Sequence, residues 1–244
     1  MMTPVQHLLN HMKTLAEASE HRIHEWEGGI AIDAGTVGPG NHYIINTEVF
    51  SQTDMGFIAY FFDSEAPILW LQGTETNPVL RQLSNMGFVP TEKMMGLQLD
   101  LDVVQNQEIN KITLKKVERK GGFDQWCNYF SEVWSHDVDQ TEAFFQGSNQ
   151  SPDLNFYLAY VNEKVIGGCC LDLSDGNAGF YWDYILPRHR KKGYGSEMIR
   201  WRLTEAKKFG AKTAFAQCLP SSLGIYTALG FQVTQPMSVF KRSI

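Results

Sequence analysis

The chain has 244 residues, of which 43% are hydrophobic, and a formal net charge of −6 at pH 7. This length supplies one large or two small globular domains, and the composition supplies a sizeable core. An acidic balance argues against a nucleic-acid-binding surface. No apolar run approaches the roughly 20 residues that a bilayer-spanning helix needs, and the N-terminus lacks the apolar core of a signal peptide. We therefore expect a cytoplasmic protein with neither nucleic acid nor a membrane as a partner.

The first hundred residues predict a helix followed by short strands. Thr3 and Pro4 suit the N-cap and the first position of a helix, which an apolar stripe extends to about residue 20. Apolar runs typical of strands follow at 29–32, 43–45, 57–62 and 68–72, and a helical pattern begins at 77, before a last strand at 95–99. The polar segment 102–110 has no periodic pattern, so we place a domain boundary there.

The second half alternates strands with helices. Its predicted elements are a strand at 111–117, helices at 123–134 and 139–145, a hairpin of 156–161 and 165–173, strands at 179–185 and 213–218 with a helix between them, and a final strand at 237–241. This order favours an α/β fold with a mixed sheet. The final strand is expected either to pair across a homodimer or to close the sheet of its own domain.

The cysteine and histidine residues give no sign of a metal site. Cys127, Cys169, Cys170 and Cys218 lack metal-ligand spacing and suit core positions. His7 and His11 are four residues apart on the predicted first helix, but no carboxylate follows in a metal-binding pattern. We interpret both as solvated helix residues and expect no metal.

A basic, glycine-containing turn lies between the strand that ends near Pro187 and the following helix. Gly193 and Gly195 allow the backbone to bend tightly and to approach a ligand closely. The free N–H groups of a helix N-terminus attract anions, and four cations, Arg188, Arg190, Lys191 and Lys192, lie just before it. This turn is typical of a site for a phosphate or pyrophosphate group.

The motif from Ile185 to Gly195 reads apolar, x, Pro, x, x, Arg, x, x, Gly, x, Gly, and a helix, a strand and Tyr226 with Gly230-Phe231 follow it. This combination resembles the GNAT superfamily of acyl-CoA-dependent N-acyltransferases. The resemblance implies a GNAT fold and acetyl-CoA as the acyl-donor co-substrate. It also implies the cofactor-binding residues Ile185, Leu186, Arg190, Lys191, Lys192, Gly193, Tyr194, Gly195, Ser196 and Ser222. Backbone groups of Ile185 and Leu186 would bind the pantetheine and the acyl carbonyl, and an N–H there would stabilise the oxyanion.

An internal similarity extends the resemblance to the first half of the chain. The stretch 83–88, LSNMGF, aligns with 226–231, YTALGF, and each predicts a helix end with a glycine cap. In this alignment the first half has Leu83 where the second half has Tyr226. It has no glycine turn near Thr47, the position that corresponds to Arg190. We therefore expect residues 1–105 to be a degenerate GNAT-like domain and residues 111–244 to be the catalytic GNAT domain.

Two residues are the candidates for proton transfer. Tyr226 is the candidate general acid for the coenzyme A thiolate, and Asp183, the carboxylate nearest the motif, is the candidate base. Asp172, Glu132, Asp137 and a water chain are alternatives for the base, and Ser221 is the alternative to Ser222 at the cofactor. We expect an acetyl-CoA-dependent N-acetyltransferase that acts on a primary amine of a small molecule or peptide. The alternative function is a non-catalytic acyl-CoA-binding or interaction module.

The distribution of charge suggests the nature of the acceptor. Residues up to Asn110 include 4 Lys and Arg against 14 Asp and Glu, whereas the rest include 17 against 13. An acidic half that faces the cleft would favour a cationic amine. A polyamine, an amino sugar, an aminoglycoside or a lysine-like group would meet that condition.

Overall fold

The computed structural model describes residues 2–35, 42–46, 68–72, 83–85, 87–105, 108–118 and 120–242. The α-helices with both ends in these residues are α1 (Pro4–Ala18), α2 (Lys120–Trp134), α3 (Val138–Phe145), α4 (Tyr194–Lys208) and α5 (Leu223–Thr227). The first begins as the sequence predicts, since the Thr3 hydroxyl accepts from the Gln6 N–H and the Gln6 side chain accepts from the Thr3 N–H. Within the described residues, no helix is long and apolar enough to cross a membrane.

The strands form one sheet. They are β1 (Arg22–Trp26), β2 (Gly29–Asp33), β3 (His42–Asn46), β4 (Ile68–Gln72), β5 (Phe88–Asp100), β6 (Thr113–Lys116), β7 (Leu154–Val161), β8 (Lys164–Ser174), β9 (Asn177–Ile185), β10 (Thr213–Cys218) and β11 (Gln232–Arg242). Their order across the sheet is β1-β2-β3-β4-β11-β5-β10-β9-β8-β7-β6. The sheet is mixed, because β3 pairs in parallel with β4 and β9 pairs in parallel with β10.

The two halves of the chain interlock through β5. This strand comes from the first half but pairs antiparallel with β10 through Met95–Asp100 and with β11 along most of its length. The predicted boundary between residues 105 and 111 stays a prediction, and so does the degenerate GNAT-like character of the first half. The hydrogen bonding of the sheet, however, crosses that boundary without a break.

Strand β11 lies between β4 and β5. Of the two roles that the sequence left open for this strand, closing a sheet within the chain is therefore the one observed. Both edges of β11 carry intramolecular partners, and a homodimer through another surface stays a prediction.

Helices pack on both faces of the sheet because successive strand residues point in opposite directions. Phe156 and Leu158 of β7 face a core that includes α1, α2 and α3, whereas Tyr157 and Ala159 face a core that includes α4. All four cysteines are buried and free, as the sequence indicates. The site described below lies where α1, α2 and β9 meet.

The interpretation of His7 and His11 as solvated is wrong, since their exposed fractions are 1% and 0%. His11 donates from Nδ1 to Asp172 at 2.8 Å and accepts at Nε2 from the indole N–H of Trp182, also at 2.8 Å. Because an indole only donates, Nε2 is the acceptor in this bond and Nδ1 carries the ring hydrogen. Both histidines therefore belong to the buried, mostly apolar face of α1.

Several predicted features fall outside the described residues. They are the strand at 57–62, most of the helix that begins at 77, and the segment near Thr47 in which the sequence has no glycine turn. Residues 83–85 are helical and residue 88 begins β5, in accord with the helix end and strand expected there.

Candidate active site

The parallel strands β9 and β10 pair for only part of their length. Asn177–Phe180 pairs with Thr213–Ala216, after which β9 continues to Ile185 and β10 pairs only with β5 on its other side. The two strands therefore separate beyond Phe180, and among the described strands none fills the gap. This leaves a V-shaped opening in the middle of the sheet, bordered by the backbone of residues 181–185.

A β-bulge shapes β9 at the mouth of this opening. Gly168 pairs with Tyr184 and Cys170 pairs with Tyr181, so Trp182 and Asp183 together oppose the single residue Cys169. Trp182 has a φ of 55°, a left-handed value that is costly for a bulky side chain. The bond from its indole to His11 of α1 helps to hold this conformation. The first half of the chain thus supports the strand that borders the opening.

Only some backbone groups of residues 185 and 186 are available to bind a ligand. The Leu186 N–H donates to the Ile166 carbonyl at 2.9 Å, so the expectation that this amide stabilises an oxyanion conflicts with its bond to β8. Because pairs in an antiparallel ladder alternate, the preceding residue, Ile185, turns its N–H and C=O away from β8 and toward the opening. Its carbonyl accepts from Arg190 Nε at 3.0 Å. The Ile185 N–H is therefore the better candidate contact for an acyl donor.

The glycine turn has the conformation that the sequence predicts. Gly193 has a φ of 82° and precedes α4, whose first residues are Tyr194, Gly195 and Ser196. Lys191, with a φ of 60°, and Lys192 are exposed beside the turn. These residues surround the free N–H groups of the helix N-terminus with positive charge, as an anion site requires.

Gly195 has no structural need to be glycine. A Cβ at this position would meet only Ile185 Cγ1, at 4.0 Å, and its φ is not positive. Glycine within a helix costs about 0.5–1 kcal/mol relative to alanine. Close approach of a ligand to the helix N-terminus is a physical reason for accepting that cost.

The sequence reasoning missed one cation of this turn. Lys111 lies 80 or so residues away in the chain, yet its Nζ is 3.6 Å from the place that a Cβ on Gly193 would occupy. Lys111 starts the segment that leads to β6, and only the tertiary fold brings it to α4. Arg188, in contrast, forms a surface ion pair with Glu132 at 3.3 Å.

Tyr226 and Asp183 lie together at the opening. The Tyr226 hydroxyl donates to Asp183 Oδ2 at 3.1 Å, and Arg202 of α4 donates to Asp183 through both terminal nitrogens, at 2.6 Å from Nη1 to Oδ1. Burial raises the pKa of Tyr226 well above its ordinary range, the charge of Asp183 raises it further, and the charge of Arg202 opposes both effects. The structure thus joins two residues predicted from the sequence and adds Arg202, which the sequence reasoning missed.

The alternative bases all have structural partners elsewhere. Asp172 is buried against His11, Asp137 accepts from the Gln140 N–H as the N-cap of α3, and Glu132 pairs with Arg188. Among the described residues, none of these carboxylates lines the cavity at the opening. Asp183 does line it.

A cavity of about 280 Å³ occupies the opening. Its wall is mostly apolar, with Leu8 and Met12 of α1, Phe130 and Trp134 of α2, and Met94 of β5. The polar groups in the wall are Glu92, His136, Asp183, Gln217, Ser222 and Tyr226. The sequence left Ser222 and Ser221 as alternatives for the cofactor contact. Ser222 lines the cavity, whereas Ser221 does not. A cavity of this size accommodates small groups that meet at the bulge.

His136 is a further residue that the sequence reasoning missed. It follows α2 and packs edge-on against Phe130, with ring centroids 5.9 Å apart. Burial lowers the pKa of His136, and the positive charge of Lys241 lowers it further. Its imidazole is therefore predominantly neutral at pH 7 and capable of accepting a proton.

Comparison with known proteins identifies the class. Residues 122–231 match the family described as Acetyltransferase (GNAT) family, a range that begins in α2 and ends just after Tyr226. This part of the chain is similar to the GNAT acetyltransferase domain, and the protein has the GNAT fold. The class of chemistry that this family supports is acyl transfer.

Solved structures with the same fold cover nearly all of the chain. One is a GCN5-related N-acetyltransferase from Kribbella flavida, with 14% identity and a TM-score of 0.67 over 97% of this chain and 95% of that one. Another is a functionally unknown conserved protein from Staphylococcus epidermidis, with 9% identity and a TM-score of 0.68 over 91% and 94%. A third, a GCN5-related N-acetyltransferase from Sphaerobacter thermophilus, has 12% identity and a TM-score of 0.60 over 88% and 76%. No curated protein matches the chain.

Proposed function

We propose that the protein is an acetyl-CoA-dependent N-acetyltransferase that moves an acetyl group directly to a primary amine. The observation that carries the proposal is the joint placement of the glycine turn and Tyr226 on either side of one opening. The turn holds the pyrophosphate of the donor, and the opening leads its pantetheine arm past Ile185 to the bulge. An acyl-CoA-binding module would need the turn but not a buried tyrosine beside the cavity.

Acyl transfer from a thioester requires a neutral amine as the nucleophile. It also requires a proton for the departing thiolate. The amine nitrogen attacks the thioester carbonyl carbon, and the C–S bond breaks as the tetrahedral intermediate collapses. Tyr226 gives its proton to the sulfur, so that free coenzyme A and an amide are the products. His136 and Asp183 are the two candidates in the cavity wall to receive the amine proton.

His136 is the better placed of the two for accepting that proton. Both oxygens of Asp183 already accept hydrogen bonds from Arg202, and one also accepts from Tyr226. Protonation of Asp183 would leave the buried Arg202 without its counter-ion, which is costly. Because no hydrogen bond to the His136 ring appears among the described residues, this imidazole is free to take the proton.

The cavity wall modifies the expected nature of the acceptor. Among the described lining residues Glu92 is the one carboxylate besides Asp183, and the rest of the first half contributes apolar side chains there. Glu92 favours a single cationic amine, and the aromatic and aliphatic wall favours an apolar body attached to it. We therefore propose a small primary amine with one positive charge in preference to an aminoglycoside.

The test is thiol release from acetyl-CoA over a panel of primary amines, with the wild type compared to Tyr226→Phe. Loss of a positioned general acid is expected to lower kcat by about 10²–10⁴-fold while KM for acetyl-CoA changes little, since the phenol is not part of the cofactor grip. Thr227→Val, one residue further along α5, is the matched control that keeps Tyr226. Equal kcat for Tyr226→Phe and the wild type would contradict the role of Tyr226.

A further inference from the structure

The guanidinium of Arg202 is fully buried within the catalytic domain, with an exposed fraction of 0%. It donates to both oxygens of Asp183 and, from Nη1, to the Cys170 carbonyl at 3.3 Å. One face lies 4.4 Å from the centroid of the Phe180 ring. The charge is thus directed at the bulge strand and at the carboxylate that accepts from Tyr226.

The packing of α4 gives no reason for a charge at this position. Arg202 shares the buried stripe of the helix with Met198, Ile199 and Ala206, which lie three or four residues away. An apolar residue would continue that stripe, and buried ion pairs are often no more stabilising than apolar residues of similar volume. The Arg202 Nε also has no partner among the described residues. A role beyond folding explains the arginine better.

The proposed proton transfer creates a need for this charge. When the O–H bond of Tyr226 breaks and an S–H bond forms on coenzyme A, the phenolic oxygen becomes negative within 3.1 Å of the Asp183 carboxylate. Two adjacent negative groups repel each other more strongly in a partly buried site than in bulk water. Arg202, bound to the same carboxylate, neutralises one of these charges until Tyr226 regains a proton from solvent through the opening.

We propose that Arg202 is a positioning residue for proton donation: through Asp183 it holds the Tyr226 hydroxyl at the opening and offsets the negative charge that forms there. The inference rests on the proposed function, because it assigns Arg202 a part in the same acyl transfer. Asp183 is then a link between Arg202 and Tyr226.

The test is a double-mutant cycle of Arg202→Met with Tyr226→Phe, read as kcat and KM for acetyl-CoA. Arg202→Met alone is expected to lower kcat by about 10²-fold or more, as loss of the acid does, with KM little changed. In the Tyr226→Phe background the same substitution is expected to cost almost nothing, since the group it acts through is gone. Arg202→Lys, which keeps the charge, is expected to recover part of kcat.

The controls separate this role from a structural one. Lys208→Met removes a cation from an exposed position of the same helix and is expected to leave kcat unchanged. If Arg202→Met fails to fold, the cycle is run with Asp183→Asn/Arg202→Met, which removes both charges together. Circular dichroism and the thermal midpoint establish that each variant is folded.

Two results would overturn the proposal in distinguishable ways. Equal losses of kcat from Arg202→Met in the wild-type and Tyr226→Phe backgrounds would show a general structural effect and refute the positioning role alone. Absence of thiol release from the wild type with every amine, despite binding of acetyl-CoA, would refute the proposed acyl transfer and with it the role of Arg202.

Discussion

Single buried residues carry information that composition and periodicity do not. Arg202 and the two histidines of α1 occupy apolar stripes, where a charged or polar residue is read by default as solvated. Each is in fact buried against a partner on a different element: Asp183 for Arg202, Tyr181 for His7 and Asp172 for His11. The sequence contained one usable signal, namely that these residues share a helical face with core residues. It contained no signal for the partner.

His7 predicts a specific dependence of stability on pH. Burial lowers the pKa of His7 from 6.5 to about 4. Because the folded-state pKa lies below the unfolded value, the unfolded chain binds more protons between these limits, and folding is favoured at higher pH. We expect the free energy of unfolding to fall by about 3 kcal/mol from this residue as the pH drops from 7 to 4.

Urea unfolding of the wild type and of His7→Gln at pH 7 and pH 5 measures this effect. The variant is expected to lose less stability than the wild type over the interval, whatever its stability at pH 7. An identical loss in both proteins would show that His7 does not titrate in this way. Glutamine is chosen because its side-chain amide provides a hydrogen-bond partner for the Tyr181 hydroxyl, which lies 2.8 Å from His7 Nδ1 in the wild type.

Elements are predicted well from the sequence where the determinants are local. The N-cap at Thr3, the glycine turn at Gly193 and the start of α4 all follow from residues within one turn of each other, and the structure confirms them. The bulge on β9 is different. Its cause is the two-against-one pairing with β8, supported by the His11–Trp182 bond, so nothing within residues 181–185 encodes it alone.

The N-terminus of α4 gives a prediction for Gly195→Ala. The structure has room for the new Cβ, and alanine is a better helix former by about 1 kcal/mol, so the variant is expected to be as stable as the wild type or slightly more stable. The added methyl group lies where the donor phosphate approaches, so the affinity for acetyl-CoA is expected to fall. Calorimetric titration and thermal unfolding measure the two quantities separately.

Gly210→Ala provides a control for this effect. Gly210 follows α4 at its far end with a φ of 82°, so alanine there is strained and destabilises without touching the turn. Lower stability with unchanged acetyl-CoA affinity is expected of this control. Undiminished affinity in Gly195→Ala would contradict the place assigned to the phosphate.

The described strands form a single sheet whose middle combines strands from both halves of the chain. The resemblance predicted the fold of the second half, whereas the separation of β9 and β10 beyond Phe180 is a finding of the structure. The insertion of β5 between β10 and β11 is a pairing between segments more than a hundred residues apart, and no spacing or composition in the sequence indicates it. To the described cavity wall the acidic first half contributes apolar side chains, of Leu8, Met12, Ile45 and Met94, and one carboxylate, that of Glu92.

Binding of acetyl-CoA at the glycine turn is the central claim, and thermal unfolding tests it most directly. We would compare the wild type with Gly193→Asp/Gly195→Asp, with and without acetyl-CoA. A ligand at about 100 times its dissociation constant stabilises the folded state by about 2.7 kcal/mol, so the account predicts a midpoint several degrees higher in the wild type and no change in the variant. An unchanged wild-type midpoint at saturating acetyl-CoA, or an equal rise in both proteins, would contradict it.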